Sequence, residues 1–269
     1  MSFFNFLKGG KKSIKKYIKN KLTYDEYHSL INIKYFFREI NWIKTIWFNF
    51  KALPFSQAKK LPFILSYNVK VKSIGKIELT GDVHIGMVSV GVVKISDYSS
   101  NSNPFFFTNK GTIKIKGNVK FQPGIRLYIA PNACISLGRR ITIGFNNKIF
   151  CYKSITIGDD FRMSWEGQLF DTDFHFLYNI LSDKYYPRIK PVVIGDSVFI
   201  GNRCTVGKGT VIPNGSVISC VSKVSGDFSE KGENLLITGN PATVIKVGIS
   251  MGNSWYPERE VEISKMMNE

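Results

Sequence analysis

The residues best placed for proton transfer lie in LFDTDFHFL, positions 169–177. The chain has three histidines, His28, His84 and His175. His28 sits in a lysine-rich N-terminal stretch and His84 precedes a regular repeat. Only His175 falls where that repeat is interrupted. Imidazole titrates near neutrality, so it can take a hydroxyl proton as the oxygen attacks. Asp173 and Asp171 stand just before it. A carboxylate there either holds the imidazole tautomer and steadies the imidazolium, or contacts a substrate hydroxyl. Asp173 also reads as a turn residue bonding its own backbone, and His175 as a solvated loop residue. Metal chemistry has no support: Cys134, Cys151, Cys204 and Cys220 lack paired ligand spacing, and three scattered histidines do not make a zinc site. The cysteines read as reduced thiols of a cytosolic protein.

The element that positions His175 is a repeat of six. Ile194, Ile200, Val206, Ile212, Ile218 and Val224 keep that register, each followed by a small or turn-forming residue: Gly195, Gly201, Gly207, Pro213, Ser219 and Ser225. Neither a helix nor one long strand has this period. Short strands, turns and stacking do, which predicts an all-β core in the form of a parallel β-helix. The glycines are expected to supply backbone angles at tight corners. Upstream the spacing persists at Ile115, Phe121 and Leu127, at Leu137, Ile143 and Ile149, and at Ile157, Met163 and Leu169. The break from Asp171 to Pro191 is expected to leave the shaft as a loop.

The N-terminal sixty residues differ in kind. Seven lysines fall between Lys8 and Lys21, and residues 1–60 hold twelve lysines and one arginine against Asp25, Glu26 and Glu39, a net of +10 of the chain's +17. No apolar stretch resembles a secretory signal or reaches the ~18 residues of a spanning helix. Ile33, Phe36, Phe37, Ile40, Ile43, Trp47 and Phe50 recur at helical spacing, with Lys34, Arg38, Lys44 and Lys51 among them. Two readings stand: a helix lying in an anionic lipid interface through residues 1–50, or an amphipathic helix capping the open edge of the shaft. Nucleic acid is set aside, because no recognition module accompanies the charge. The expected division is a basic helical appendage (1–60), an irregular β lead-in (61–110), the β-helix (111–248, with the loop 171–191) and a tail (249–269). The tail is expected to form a short helix anchored by Trp255.

The stretch KPVVIGDSVFIGNRCTVGKGTVIPNGSVISCVSKV, followed by ITGNPATVIKVG, resembles the C-terminal coils of hexapeptide-repeat acyltransferases. Over residues 110–248 it is similar to galactoside and maltose acetyltransferases and to those of surface-polysaccharide clusters. The resemblance implies a left-handed β-helix, a homotrimer with active sites between subunits, and acetyl-CoA lying along the coils. It makes His175 the general base; from the residues alone, Asp173 is the better candidate for its orienting partner. Asn146 resembles an acceptor-site residue, although Asn also serves at β-helix corners. Asp171, Trp165 and Glu166 are further acceptor candidates. Gly201, Ser219 and Cys220 match the path of the pantetheine arm, a backbone N–H near Ser219 is a candidate oxyanion donor, and Lys223 and Lys246 are candidates for the CoA phosphates. Phe199 stands where many relatives carry Trp.

The implied reaction is O-acetylation of a sugar in a surface glycan or its lipid-linked precursor, in the cytoplasm at the inner face of the membrane. The alternatives are N-acetylation of a nucleotide-linked amino sugar and a non-catalytic β-helix scaffold.

Overall fold

A two- or three-residue strand cannot bury its apolar side chains alone, so hexads fold only by stacking. The computed structural model describes residues 39–92, 103–251 and 257–267. Its strands form parallel sheets of nine, seven and six strands, which the chain visits in turn. The six hexad residues separate into three columns: Ile194 pairs with Ile212, Ile200 with Ile218, and Val206 with Val224. The first column continues downward through Ile157, Leu137, Ile115 and Leu79, all buried.

The glycines act differently from the sequence expectation. Gly195 and Gly201 are absent from the left-handed region, whereas Ser197 and Arg203, two residues later, occupy it at φ 56° and 57°. Glycine is needed after the aliphatic residue because the next coil fills the space of a side chain. A Cβ on Gly201 would lie 2.7 Å from the Cys220 nitrogen, and one on Gly195 2.7 Å from that of Asn214.

The shaft also begins earlier than the repeat suggested. β1 (Phe63–Leu65), β2 (Val69–Ser73) and β3 (Lys76–Leu79) form a first coil. β4 (Val88–Val90) and β5 (Phe105–Asn109) enter the second. Residues assigned to an irregular lead-in therefore belong to the same three sheets. An insertion between β4 and β5 and the use of Phe as inward residue, at 63, 105 and 107, conceal the period.

A helix closes the base. Asn41 caps α1 (Trp42–Ala52), its side chain accepting the Lys44 N–H at 2.9 Å. Pro54, which has no N–H to continue the ladder, follows its C-cap residue Leu53. The inward residues are Thr45, Phe48 and Asn49. Asn49 accepts the Phe63 N–H at 3.0 Å and donates to the Phe63 carbonyl at 2.7 Å, and the Thr45 hydroxyl accepts the Leu65 N–H at 3.0 Å. Among the described residues β1 has no neighbouring strand on this side, so side chains satisfy its edge. The Phe48 ring plugs the shaft, 5.1 Å from Phe63 and 5.4 Å from Phe107. Lys44 donates to the carbonyls of Tyr67 and Val69 at 2.9 and 2.8 Å and is part of the cap.

The apolar stripe read from spacing faces the other way. Ile40 is buried, but Ile43, Trp47 and Phe50 are exposed. Ile33, Phe36, Phe37, Lys34, Arg38 and the lysines of 8–21 lie outside the described residues. At the far end, β23 (Leu235–Gly239) joins the nine-stranded sheet and turns back into β24 (Ala242–Val247), antiparallel to it. The tail contains α3 (Pro257–Met267), and Trp255 lies outside the described residues. Among the described residues no helix is long and apolar enough to cross a membrane.

Candidate active site

The interruption before the cleanest coils is a hairpin arm, not an irregular loop. It leaves the shaft after β14 (Gln168–Phe170) and rejoins at β17 (Val192–Ile194). Within it β15 (Leu177–Asn179) and β16 (Lys184–Tyr186) pair antiparallel. Its neck is closed by the Asp173 N–H to the Arg188 carbonyl at 3.0 Å and the Lys190 N–H to the Asp171 carbonyl at 3.0 Å.

Asp171 anchors this neck from inside. Its side chain accepts the backbone N–H groups of Tyr152, Lys153 and Ser154 at 2.7, 2.6 and 2.8 Å. Those residues turn the coil below, from β11 (Lys148–Cys151) to β12 (Ser154–Ile157). Asp171 is 0% exposed. The substrate role considered for it is therefore corrected: the carboxylate is committed to backbone and cannot reach an acceptor. Burial and then the Asp171 carboxylate push the neighbouring Cys151 thiol far up, which keeps it protonated and unreactive. All four cysteines are free, Cys151 and Cys204 buried and Cys220 exposed.

His175 is exposed and makes no hydrogen bond or ion pair with a described residue. Its neighbours fix its backbone. Phe174 donates its N–H to the Thr172 hydroxyl at 3.0 Å, and its ring meets Phe170, Phe150 and Tyr152 at 5.3, 5.8 and 5.8 Å. On the other side the Arg188 guanidinium lies 4.8 Å from the Phe176 ring centre, within cation–π range. The imidazole thus projects from a peptide pinned by two rings. Asp173 does not hold its tautomer, a second correction: its carboxylate pairs with Lys208 at 2.5 Å, and Lys208 also donates to the Pro187 carbonyl.

Sequence reasoning missed Lys208, Arg188 and the aromatic cluster of Tyr128, Phe150, Phe170, Tyr152 and Phe174. The signal was present: Tyr128, Phe150 and Phe170 occupy paired outward positions on neighbouring strands. That register is visible only once the coil lengths are known.

The other candidates lie along a different corner of the shaft, between the nine- and seven-stranded sheets. Asn146 and Glu166 take left-handed angles on successive coils, φ 57° and 60°. Asn146 donates its N–H to the Pro123 carbonyl at 3.1 Å and accepts from the Asn103 amide at 3.2 Å. The Trp165 ring is half exposed, and the Glu166 carboxylate pairs with Arg203 at 2.7 Å. Gly201, Ser219 and Cys220 follow on the coils above. The glycine at 201 is explained by coil stacking, and the Ser219 N–H donates to the Ile237 carbonyl at 2.9 Å. The N–H of Ser219 itself is therefore committed to the coil ladder. Lys223 and Lys246 are exposed. Within one chain, then, His175 stands on one corner and Asn146, Trp165, Glu166 and Cys220 on another. Among the described residues no group of three His, Cys, Asp or Glu side chains is placed to hold a metal ion.

No protein-family model matches the chain. It is 34% identical over 202 residues to the "Uncharacterized 24.8 kDa protein in cps region" of Klebsiella pneumoniae, covering 75% of this chain and 86% of that one. It is 31% identical over 153 residues to the protein named "Putative lipopolysaccharide biosynthesis O-acetyl transferase WbbJ" in Escherichia coli (strain K12), covering 53% of this chain and 76% of that one. The crystal structure of the polySia-specific acetyltransferase NeuO superposes with a TM-score of 0.50 at 22% identity, over 76% of this chain and 87% of that chain, and shares the fold. With its stacked coils and their hexad columns among the described residues, and an arm carrying an exposed imidazole, the chain belongs to the hexapeptide-repeat, left-handed β-helix family of acyl-CoA-dependent acyltransferases.

Proposed function

We propose that the protein transfers an acetyl group from acetyl-CoA to a sugar hydroxyl of a surface glycan or its lipid-linked precursor, with His175 as general base. The observation that carries this reading is the exposed imidazole held between two anchored rings on the arm. In the step, the sugar oxygen attacks the thioester carbonyl as His175 takes its proton, and the leaving thiolate then receives that proton. The exposed cations Lys223 and Lys246 suit the phosphates of CoA, and no metal takes part in the proposed step. The choice of a glycan hydroxyl rests on the two sequence relatives, whose names place one in a cps region and the other in lipopolysaccharide biosynthesis as an O-acetyl transferase.

Because His175 and the Asn146 corner lie apart in one chain, the complete site in this reading forms between copies of a homotrimer. The arm's tip supports this, with Ile180 83% and Leu181 98% exposed, since a neighbouring copy would cover them. The reaction is assigned to the cytoplasm, where acetyl-CoA is made.

The test is CoA release from acetyl-CoA with a panel of sugar and lipid-linked glycan acceptors. His175→Ala is expected to lower acceptor-dependent turnover by about 10²–10⁴-fold while CoA still binds. Undiminished turnover removes His175 from the mechanism. If the wild type neither turns over nor binds CoA, the chain is a scaffold instead.

A further inference from the structure

The two readings of the N-terminal helix are not rivals, because its two faces are separately engaged. The inward face is fully used by Thr45, Phe48 and Asn49 in closing the shaft. The outward face carries Ile43, Ile46, Trp47 and Phe50, and α2 (Phe55–Ala58) extends it with Phe55. Ile43 is 85% exposed, Phe55 70% and Trp47 50%. The Phe50 and Phe55 rings sit 6.0 Å apart, so the two helices present one continuous apolar surface.

Around it the charge has one sign. Residues 39–72 hold six lysines against the single acid Glu39. Lys44 is spent on the cap, but Lys51, Lys59, Lys60, Lys70 and Lys72 are exposed. The nearest further acid on the first coil, Glu78, is paired with Lys76 at 2.7 Å. An exposed Trp among aliphatic and Phe side chains, with exposed lysines in the same and the next segments, matches the chemistry of a bilayer interface with anionic headgroups. A second copy fits poorly, because two-fold contact would set one lysine-rich base against another. The seven lysines between Lys8 and Lys21 add charge of the same sign ahead of this helix.

We infer that the outward face of α1 and α2 seats the base of the shaft on an anionic lipid surface. The test is co-sedimentation of the full chain with vesicles of phosphatidylglycerol mixed with phosphatidylcholine, and with phosphatidylcholine alone. Binding to the anionic vesicles is expected and should weaken as salt is raised. Trp47→Glu is expected to lower the partition coefficient by at least about tenfold, and Ile43→Glu with Phe50→Glu to lower it further. Circular dichroism should show both variants folded, since none of these side chains packs in the core. No binding by the wild type overturns the proposal, as does equal binding by the folded variants. A variant that changes the assembly state in sedimentation velocity while leaving vesicle binding intact assigns the face to a second copy or another segment and also overturns it.

Discussion

At the base of the shaft, Asn49 and Thr45 take the backbone groups that β1 has no strand to pair with. At the neck of the arm, Asp171 takes the amides of 152–154, beside which the chain leaves the shaft over residues 171–191. Both are departures from the strand ladder, and both are closed by fully buried polar side chains. The difference lies in what each leaves outside. The cap ends the ladder and needs nothing beyond its outward face. The neck lets the ladder resume above it while holding out a peptide with an exposed imidazole. Of these two breaks, the neck is the one that carries an exposed imidazole.

Asp171→Ala is the sharpest way to press that contrast. Three N–H groups of a part-buried turn would lose their acceptor, at about 1–3 kcal/mol each if they stay dry. We expect a loss of at least about 3 kcal/mol in urea unfolding. In the fraction that remains folded, turnover should fall by roughly 10²-fold through misplacement of His175. Asp171→Asn, which keeps one oxygen, should fall between. A destabilised variant with normal turnover would separate the neck from the site and break the comparison.

Asn49→Ala removes three hydrogen bonds, one to the Thr45 carbonyl and two to the Phe63 backbone, which is left without its partner. The expected loss is about 2 kcal/mol, smaller because the lost partner is a neutral amide and not a carboxylate. Turnover per folded molecule should not change, since the base lies several coils below the arm. A matching fall in turnover would mean that the cap and the arm are coupled along the shaft.

These two sites also show what the sequence could and could not reveal. The columns were legible because aliphatic residues in the shaft's last coils repeat every six positions with no insertions. The first coils were not, because Phe63, Phe105 and Phe107 replace aliphatics and an insertion resets the phase. Ile43, Trp47 and Phe50 were identified as a stripe, yet hydrophobic spacing cannot say which face turns inward. Here a polar pair, Thr45 and Asn49, wins the inward face because a strand edge demands hydrogen bonds more than apolar cover. His175 was singled out by scarcity and placement. Asp171 and Asp173 were read as its partners from proximity alone. Their carboxylates turn instead to a backbone turn and to Lys208, distant in sequence and invisible to local spacing.

The smallest effect is expected in the unbroken part of the shaft, at the corner where Asp159, Asp196 and Asn214 stack. Asp159 accepts the Arg139 N–H at 2.9 Å, Asp196 accepts the Asp159 N–H at 2.6 Å, and Asn214 accepts the Asp196 N–H at 2.8 Å. Asn214 shows that a neutral amide can fill this place in the ladder. What Asp159 adds is a pair with the Arg139 guanidinium at 2.7 Å. Burial pushes its carboxyl upward, but hydrogen bonds from the Arg139 backbone and side chain, with the nearby Lys116 charge, outweigh this and hold it below its ordinary value. A depressed carboxyl contributes stability that is complete above its unfolded value and fades as pH falls through the folded one. Asp159→Asn should therefore cost less than about 1 kcal/mol at neutral pH. Thermal melts of the two proteins should converge as the pH drops below about 4. A gap that stays constant with pH would instead mean that Asp159 acts only as Asn214 does, as a backbone acceptor whose charge is immaterial. The corner would then differ from the neck in degree of burial alone.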